Sequence, residues 1–304
     1  MVGPEAVQVV DSSRRSDIFP VVVPHDANPA IRATTATTNT TRTLNSQSAK
    51  GGSCRAPIRR YDCLDMATTS DRPLQTSNPW IDFALETPPF VIPADATHID
   101  AFNKTLSPSD APCCIDLSIP PEPWMGLHSS IVVLLLCNPG MEPQDYEVSR
   151  RPEVASALKA NLTVPGGAPM LWLADEVADT PGGRWWRRTT WGMLEQGLDY
   201  SDIARRLLVV QFHAYHSVKW SCPPFTLPSQ HAGFALVESA IDRGATIVLS
   251  RGAKPWKVAV PRLLEYPCLL STRSVRNASL SARNIGDEGF QMIAQALSQC
   301  PRLQ

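Results

Sequence analysis

The chain has 304 residues, 43% of them hydrophobic, and a formal net charge of −1, which is enough apolar material for one large domain or two small ones. That near-neutral balance excludes the broad basic surface of a protein that grips nucleic acid along its length, so any DNA contact must come from a local patch. The eight cysteines include no C-x-x-C pair, which argues against a zinc or iron–sulfur site and for reduced thiols in an intracellular protein.

Residues 1–65 hold only Phe19 and Tyr61 among the aromatics, and all eight Trp follow Met66. Without large side chains to offset chain entropy, this stretch is expected to be a disordered or misannotated leader. Met66 is then a candidate start, and residues 66–304 a single α/β domain. Residues 27–56, rich in Thr, Ser, Asn and Ala, have the composition of a linker. A chain beginning at Met66 should melt within about 2 °C of the full chain, the shift expected from no more than about 1 kcal/mol. A clearly lower melting temperature would show that the leader packs on the domain. The longest apolar run, Ile131–Cys137, is too short to cross a bilayer, and no apolar signal segment opens the chain. The expectation is a soluble, intracellular protein with no membrane partner.

From Val91 to Pro123 the density of proline predicts extended or looped chain. Beyond it a βα alternation begins. Strands are expected at Ile131–Cys137, Met170–Ala174, Leu207–Phe212, Thr246–Ser250 and Cys268–Thr272. Helices are expected at about Pro152–Ala160, Arg184–Gly197, His231–Arg243, Lys254–Leu264 and Asp287–Ser298. Buried runs separated by helices predict a three-layer α/β fold with a central parallel sheet of about five strands. Ligands of such sheets bind at the carboxyl ends of the strands. The loops that follow strands are therefore where chemistry is expected.

The chain contains no G-x-G-x-x-G, P-loop lysine motif, G-x-S-x-G or H-E-x-x-H, which speaks against the common nucleotide, serine-hydrolase and zinc-protease sites and predicts no cofactor and no metal. Asn138 stands just past the first buried strand, its backbone restricted by Pro139. Gln211 ends the third strand, and His216 follows it as a candidate acid, base or base-binding group. In Arg184-Trp185-Trp186-Arg187-Arg188, basic and stacking groups interleave, and Arg187 and Arg188 are candidate phosphate contacts. The loop Arg276-Asn277-Ala278-Ser279-Leu280-Ser281 lies between the fifth strand and the final helix.

Three segments carry a family likeness. Asn138-Pro139-Gly140 resembles the G-I-N-P-G motif of the mismatch-specific branch of the uracil-DNA glycosylase superfamily. Arg276–Ser281 is similar to the superfamily's H-P-S-P-L-S, and Ile247–Gly252 to the strand-and-glycine element before it. The resemblance covers about residues 125–300 and implies a uracil-DNA glycosylase-like fold acting on DNA by base flipping, as in DNA repair. It implies that Asn138 positions the attacking water and that Gln211 reads the edge of the flipped base. Trp172 is then a stacking platform or plain core, and Ser281, assisted by Ser279, holds a phosphate. Arg276 stands in place of the family's His and would either stabilise the departing base or bind phosphate. Ala278 stands where the family has a phosphate-binding Ser. The expected function is a DNA base glycosylase-like hydrolase; the alternative is a base- or nucleotide-binding module without catalysis. Asn138, Gln211 and Arg276 are expected to face one pocket.

Overall fold

The computed structural model describes residues 78–274 and 276–298; the leader expected over residues 1–65 lies outside them. The helices are α1 (Pro93–Thr105), α2 (Asp145–Val148), α3 (Pro152–Thr163), α4 (Pro181–Leu194), α5 (Tyr200–Arg206), α6 (Gln230–Asp242), α7 (Ala253–Ala259), α8 (Ala282–Ile285) and α9 (Asp287–Ser298). The strands are β1 (Trp124–Leu127), β2 (Val132–Leu136), β3 (Gly167–Ala168), β4 (Leu207–Gln211), β5 (Thr246–Leu249) and β6 (Leu269–Ser271).

Within β2, every residue from Val132 to Leu136 is buried, and the strand's two faces feed two separate cores. Val133 and Leu135 pack with Leu208 and Val210 of β4 and with Ile99, Leu236, Val237 and Trp256 from α1, α6 and α7. Val132, Leu134 and Leu136 pack with Leu207 and Val209 and with Val154, Trp186, Met193, Ile203 and Ile293 from α3, α4, α5 and α9. Period-2 geometry splits a continuous apolar run in this way, and only helices on both faces can bury it. The result is an α/β domain with a helical layer on each side of its sheet.

Strand order is β3-β1-β4-β2-β5-β6. β4, β2, β5 and β6 run parallel, whereas β1 is antiparallel to both β4 and β3. The expected five-stranded parallel sheet is therefore corrected to a mixed sheet of six strands with an antiparallel margin. From β2 the chain crosses to β4 on one side and later to β5 on the other. That reversal puts the crevice where open α/β sheets bind ligands at the carboxyl end of β2.

Other departures have local causes. Pro93 opens α1 at its first turn, where a missing N–H costs nothing, and no further proline occurs before Pro108. A proline-rich segment thus holds a helix where extended chain was expected. Met170–Ala174 is not a strand: Leu171–Leu173 form one 3-10 turn, too short an apolar run to choose between the two by pattern. Gly126 in β1 has φ +112°, and a Cβ there would lie 2.2 Å from the Leu207 carbonyl oxygen. The close approach of β1 to the head of β4 therefore requires glycine. No helix among the described residues is long and apolar enough to cross a membrane.

Candidate functional site

The loops that leave β2 and β4 are joined by main-chain hydrogen bonds beyond the sheet. Phe212 N donates to Leu136 O at 3.0 Å and His213 N to Cys137 O at 2.7 Å. From the other face the Trp256 indole donates to the same Leu136 oxygen at 2.8 Å. These bonds hold both strand ends at the edge of a cavity of about 250 Å³. Its wall includes Asn138, Gln211, His216, Trp172, Glu122 and Arg251.

Asn138 is held in one orientation. Its Nδ2 donates to Pro139 O at 2.9 Å and to Ser217 Oγ at 2.8 Å, and the Ser217 hydroxyl passes its own hydrogen to Lys219 O. Pro139 O can only accept, which fixes the amide against a flip. Both amide hydrogens are spent, so Oδ1 is the atom left to act as an acceptor. Gln211 is the reverse case. It is 6% exposed, yet its Oε1 is buried with no hydrogen-bond partner. An unpaired buried amide costs about 1–3 kcal/mol, and a ligand edge is what would relieve it.

Glu122 enters from the segment before β1. Its main-chain N–H donates to Ala214 O at 2.8 Å, and its Oε2 accepts from the Trp172 indole at 3.1 Å. Burial pushes this carboxyl above the usual range; His216 and the Trp172 N–H oppose the shift and Asp145 adds to it. His216 lies with Nε2 3.8 Å from Glu122 Oε1. Its Nδ1 faces Gly140 O at 2.9 Å and its Nε2 faces Pro120 O at 3.0 Å. A neutral imidazole carries one N–H and can donate to only one of these carbonyls, whereas the imidazolium donates to both. The ring thus clamps the loop after β2 to the segment before β1.

Trp172 is buried on the cavity wall, carried by a 3-10 turn rather than by the strand expected for it. Helix α4 lies against it through Gly182, where a Cβ would approach the indole ring to 2.8 Å.

Asn138, Gln211, Trp172 and His216 therefore share one cavity, and Arg276, Ser279, Ser281, Arg187 and Arg188 are not among the residues that line it. Arg276 is exposed and reaches the cavity only through its carbonyl, which accepts from Arg251 Nη2 at 2.9 Å. The expectation that Asn138, Gln211 and Arg276 face one pocket is corrected for Arg276: its loop approaches through the carbonyl that Arg251 holds, but the exposed residue does not line the cavity. Ser279 and Ser281 sit beside it with their hydroxyls 3.3 Å apart. The Arg187 guanidinium is taken up by Asp175 at 2.6 Å and by the Tyr200 ring, 4.3 Å from its centroid. Arg188 is exposed on α4. Sequence reasoning missed Glu122 and Arg251; a charged residue directly after a buried strand was the available signal for Arg251.

His213 lies behind the wall, 1% exposed, with its Nε2 unpartnered. Burial pushes its imidazole down to about 4 from 6.5. The folded state therefore holds it neutral while the unfolded chain binds the proton more tightly. Its contribution to stability is complete above about pH 6.5 and is lost as pH falls toward about 4. His213→Phe is expected to flatten the stability–pH curve in that window, read as melting temperature against pH. An unchanged slope would show that His213 is solvated in the folded protein.

Among the described residues, no group of three or more His, Cys, Asp or Glu is placed to hold a metal ion. The chain matches no family model, no curated protein and no solved structure.

Proposed function

We propose that the chain is a DNA glycosylase-like hydrolase that cleaves the N-glycosidic bond of a modified or mismatched base flipped into this cavity, on a fold of the uracil-DNA glycosylase type. The observation that carries the reading is that Asn138 and Gln211 line one cavity at the adjoining carboxyl ends of β2 and β4. One amide has its hydrogens spent and its Oδ1 left as the acceptor. The other is buried and lacks a partner.

In the reaction, Asn138 Oδ1 accepts a hydrogen bond from water and aims its oxygen at the anomeric carbon of the sugar. The bond from that carbon to the base nitrogen breaks and the electron pair leaves with the base, while the water oxygen bonds to the carbon and the proton it sheds ends on the departing base. Gln211 holds the base edge through its amide, which offers both a donor and an acceptor in one plane. Trp172 supplies an apolar wall for the ring. Size supports a base as the occupant. An apolar cavity of about 150 Å³ accepts benzene, so about 250 Å³ takes a substituted ring while leaving the sugar at the mouth.

One observation favours the second reading, a base-binding module without turnover: the Arg276 side chain does not reach the cavity, so it gives no cation to the departing base. A glycosylase screen on oligonucleotides carrying many modified bases decides between them, with Asn138→Ala as the control. Release of a base by the native protein and its loss in the variant supports hydrolysis. Tight binding with no release across the whole panel supports the module.

A further inference from the structure

Among the described residues, Arg251 is a cation held in place without a counter-ion. It follows β5, and Gly252 turns the chain at φ +70° so closely that a Cβ there would come 3.1 Å from Cys137 Sγ. This packs the loop against the strand end that carries Asn138. The Arg251 Nη2 donates to Arg276 O at 2.9 Å, and its guanidinium carbon lies 5.9 Å from the Trp185 ring centroid. Its Nε is buried with no hydrogen-bond partner. None of the ion pairs among the described residues includes it. Arg187, by contrast, is neutralised by Asp175 at 2.6 Å.

Position within the cavity limits what the cation can serve. Gln211, Glu122, Trp172 and His216 are buried and form the floor, whereas Arg251 and Trp185 are half-exposed and form the rim. Pro181 and Gly182, the first residues of the 14-residue helix α4, lie on the same wall, and a helix N-terminus adds positive potential there. A ring-sized interior leaves the sugar and its phosphates outside the floor, level with this rim.

We propose that Arg251 is the phosphate clamp of the site, binding a backbone phosphate of the nucleotide whose base occupies the cavity. The proposal rests on the base-binding reading above but not on hydrolysis. A planar guanidinium held by one carbonyl and one aromatic ring loses little freedom when it donates to phosphate oxygens.

The test is fluorescence anisotropy of the full chain with two single-stranded probes. One carries a tetrahydrofuran abasic unit and the other a uracil at the same position. Arg251→Ala is expected to weaken both about tenfold, equal to about 1.4 kcal/mol, and to lessen the salt slope by about 0.7. Arg251→Gln, which keeps a donor for Arg276 O without the charge, should behave alike and carries the test if the alanine variant does not fold. Arg205→Ala, an exposed arginine of α5 paired with Asp202, should bind as the native protein does.

Unchanged affinity for both probes in the folded variants would overturn the clamp, and base release by the native protein in the screen would leave the glycosylase reading standing. A loss confined to the uracil probe would also overturn it, because the cation would then serve the base. A loss on both probes with no base ever released would keep the clamp and remove the hydrolase. No binding of either probe by the native protein would remove both.

Discussion

Asn138→Ala is expected to lower the rate of base release by about two orders of magnitude, the cost of losing a group that orients a reactant, while the affinity for the same oligonucleotide changes less than about threefold. The asymmetry follows from where the amide acts. Its two hydrogens are bound within the protein, to Pro139 O and Ser217 Oγ, so they make no contact with a ligand. Only Oδ1 faces outward, and a water aligned there matters most once the glycosidic bond begins to break. Single-turnover kinetics with saturating protein separate the two quantities. If binding falls in proportion to rate, Asn138 contacts the ground state and does not place water. If the rate stands unchanged, the water is placed by another group, and Glu122, on the same cavity wall, becomes the first to examine. Stability should hardly move, because Asn138 is half-exposed and the Ser217 hydroxyl keeps its bond to Lys219 O.

Gly183→Ala is expected to lower the melting temperature by about 6–12 °C, the shift that about 3 kcal/mol produces in a domain of about 200 residues. Gly183 stands in the first turn of α4, where its N–H donates to Thr180 Oγ1 at 3.0 Å. A Cβ added there would lie 1.9 Å from the Val177 carbonyl oxygen and 2.8 Å from its carbon. Backbone atoms cannot swing aside as a side-chain tip can, so the helix start itself must lift. That motion would draw Gly182 off the Trp172 ring and carry Trp185 away from Arg251, so ligand affinity should fall along with stability. Differential scanning calorimetry gives the first effect and probe anisotropy the second. A variant that melts like the native protein would mean that α4 is seated differently.

What was legible in the sequence was whatever a single periodic signal could carry. β2, β4 and β5 are each built on a continuous apolar run (Val132–Leu136, Leu207–Val210 and Ile247–Leu249) buried on both faces, and each lies within its expected range. The final helix runs over Asp287–Ser298 as expected, its Phe290, Ile293, Ala294 and Leu297 spaced to face the core. The four residues of β1 were hidden because an antiparallel strand beginning directly after Pro123 has no room to show alternation. At the site, Asn138, Gln211 and His216 were accessible because they end or follow parallel strands, which is where ligand groups are sought. Arg276 was placed in the right loop, but no sequence pattern states whether an exposed loop turns its side chain inward or offers only its carbonyl.

Glu122 was out of reach for a reason built into the sheet. Because β1 runs against its neighbours, the rim that parallel strands reach by their ends is reached here by a beginning: Pro123 lies opposite Gln211, accepting its N–H at 2.9 Å. Chain direction therefore assigns opposite duties to the two flanks of this strand. The stretch Pro120–Pro123, stiffened by its prolines, becomes the part whose length must be conserved to keep a carboxyl at the site. The turn Leu127–Ser130 at the far end of the strand does not line the cavity and carries no such duty toward the site.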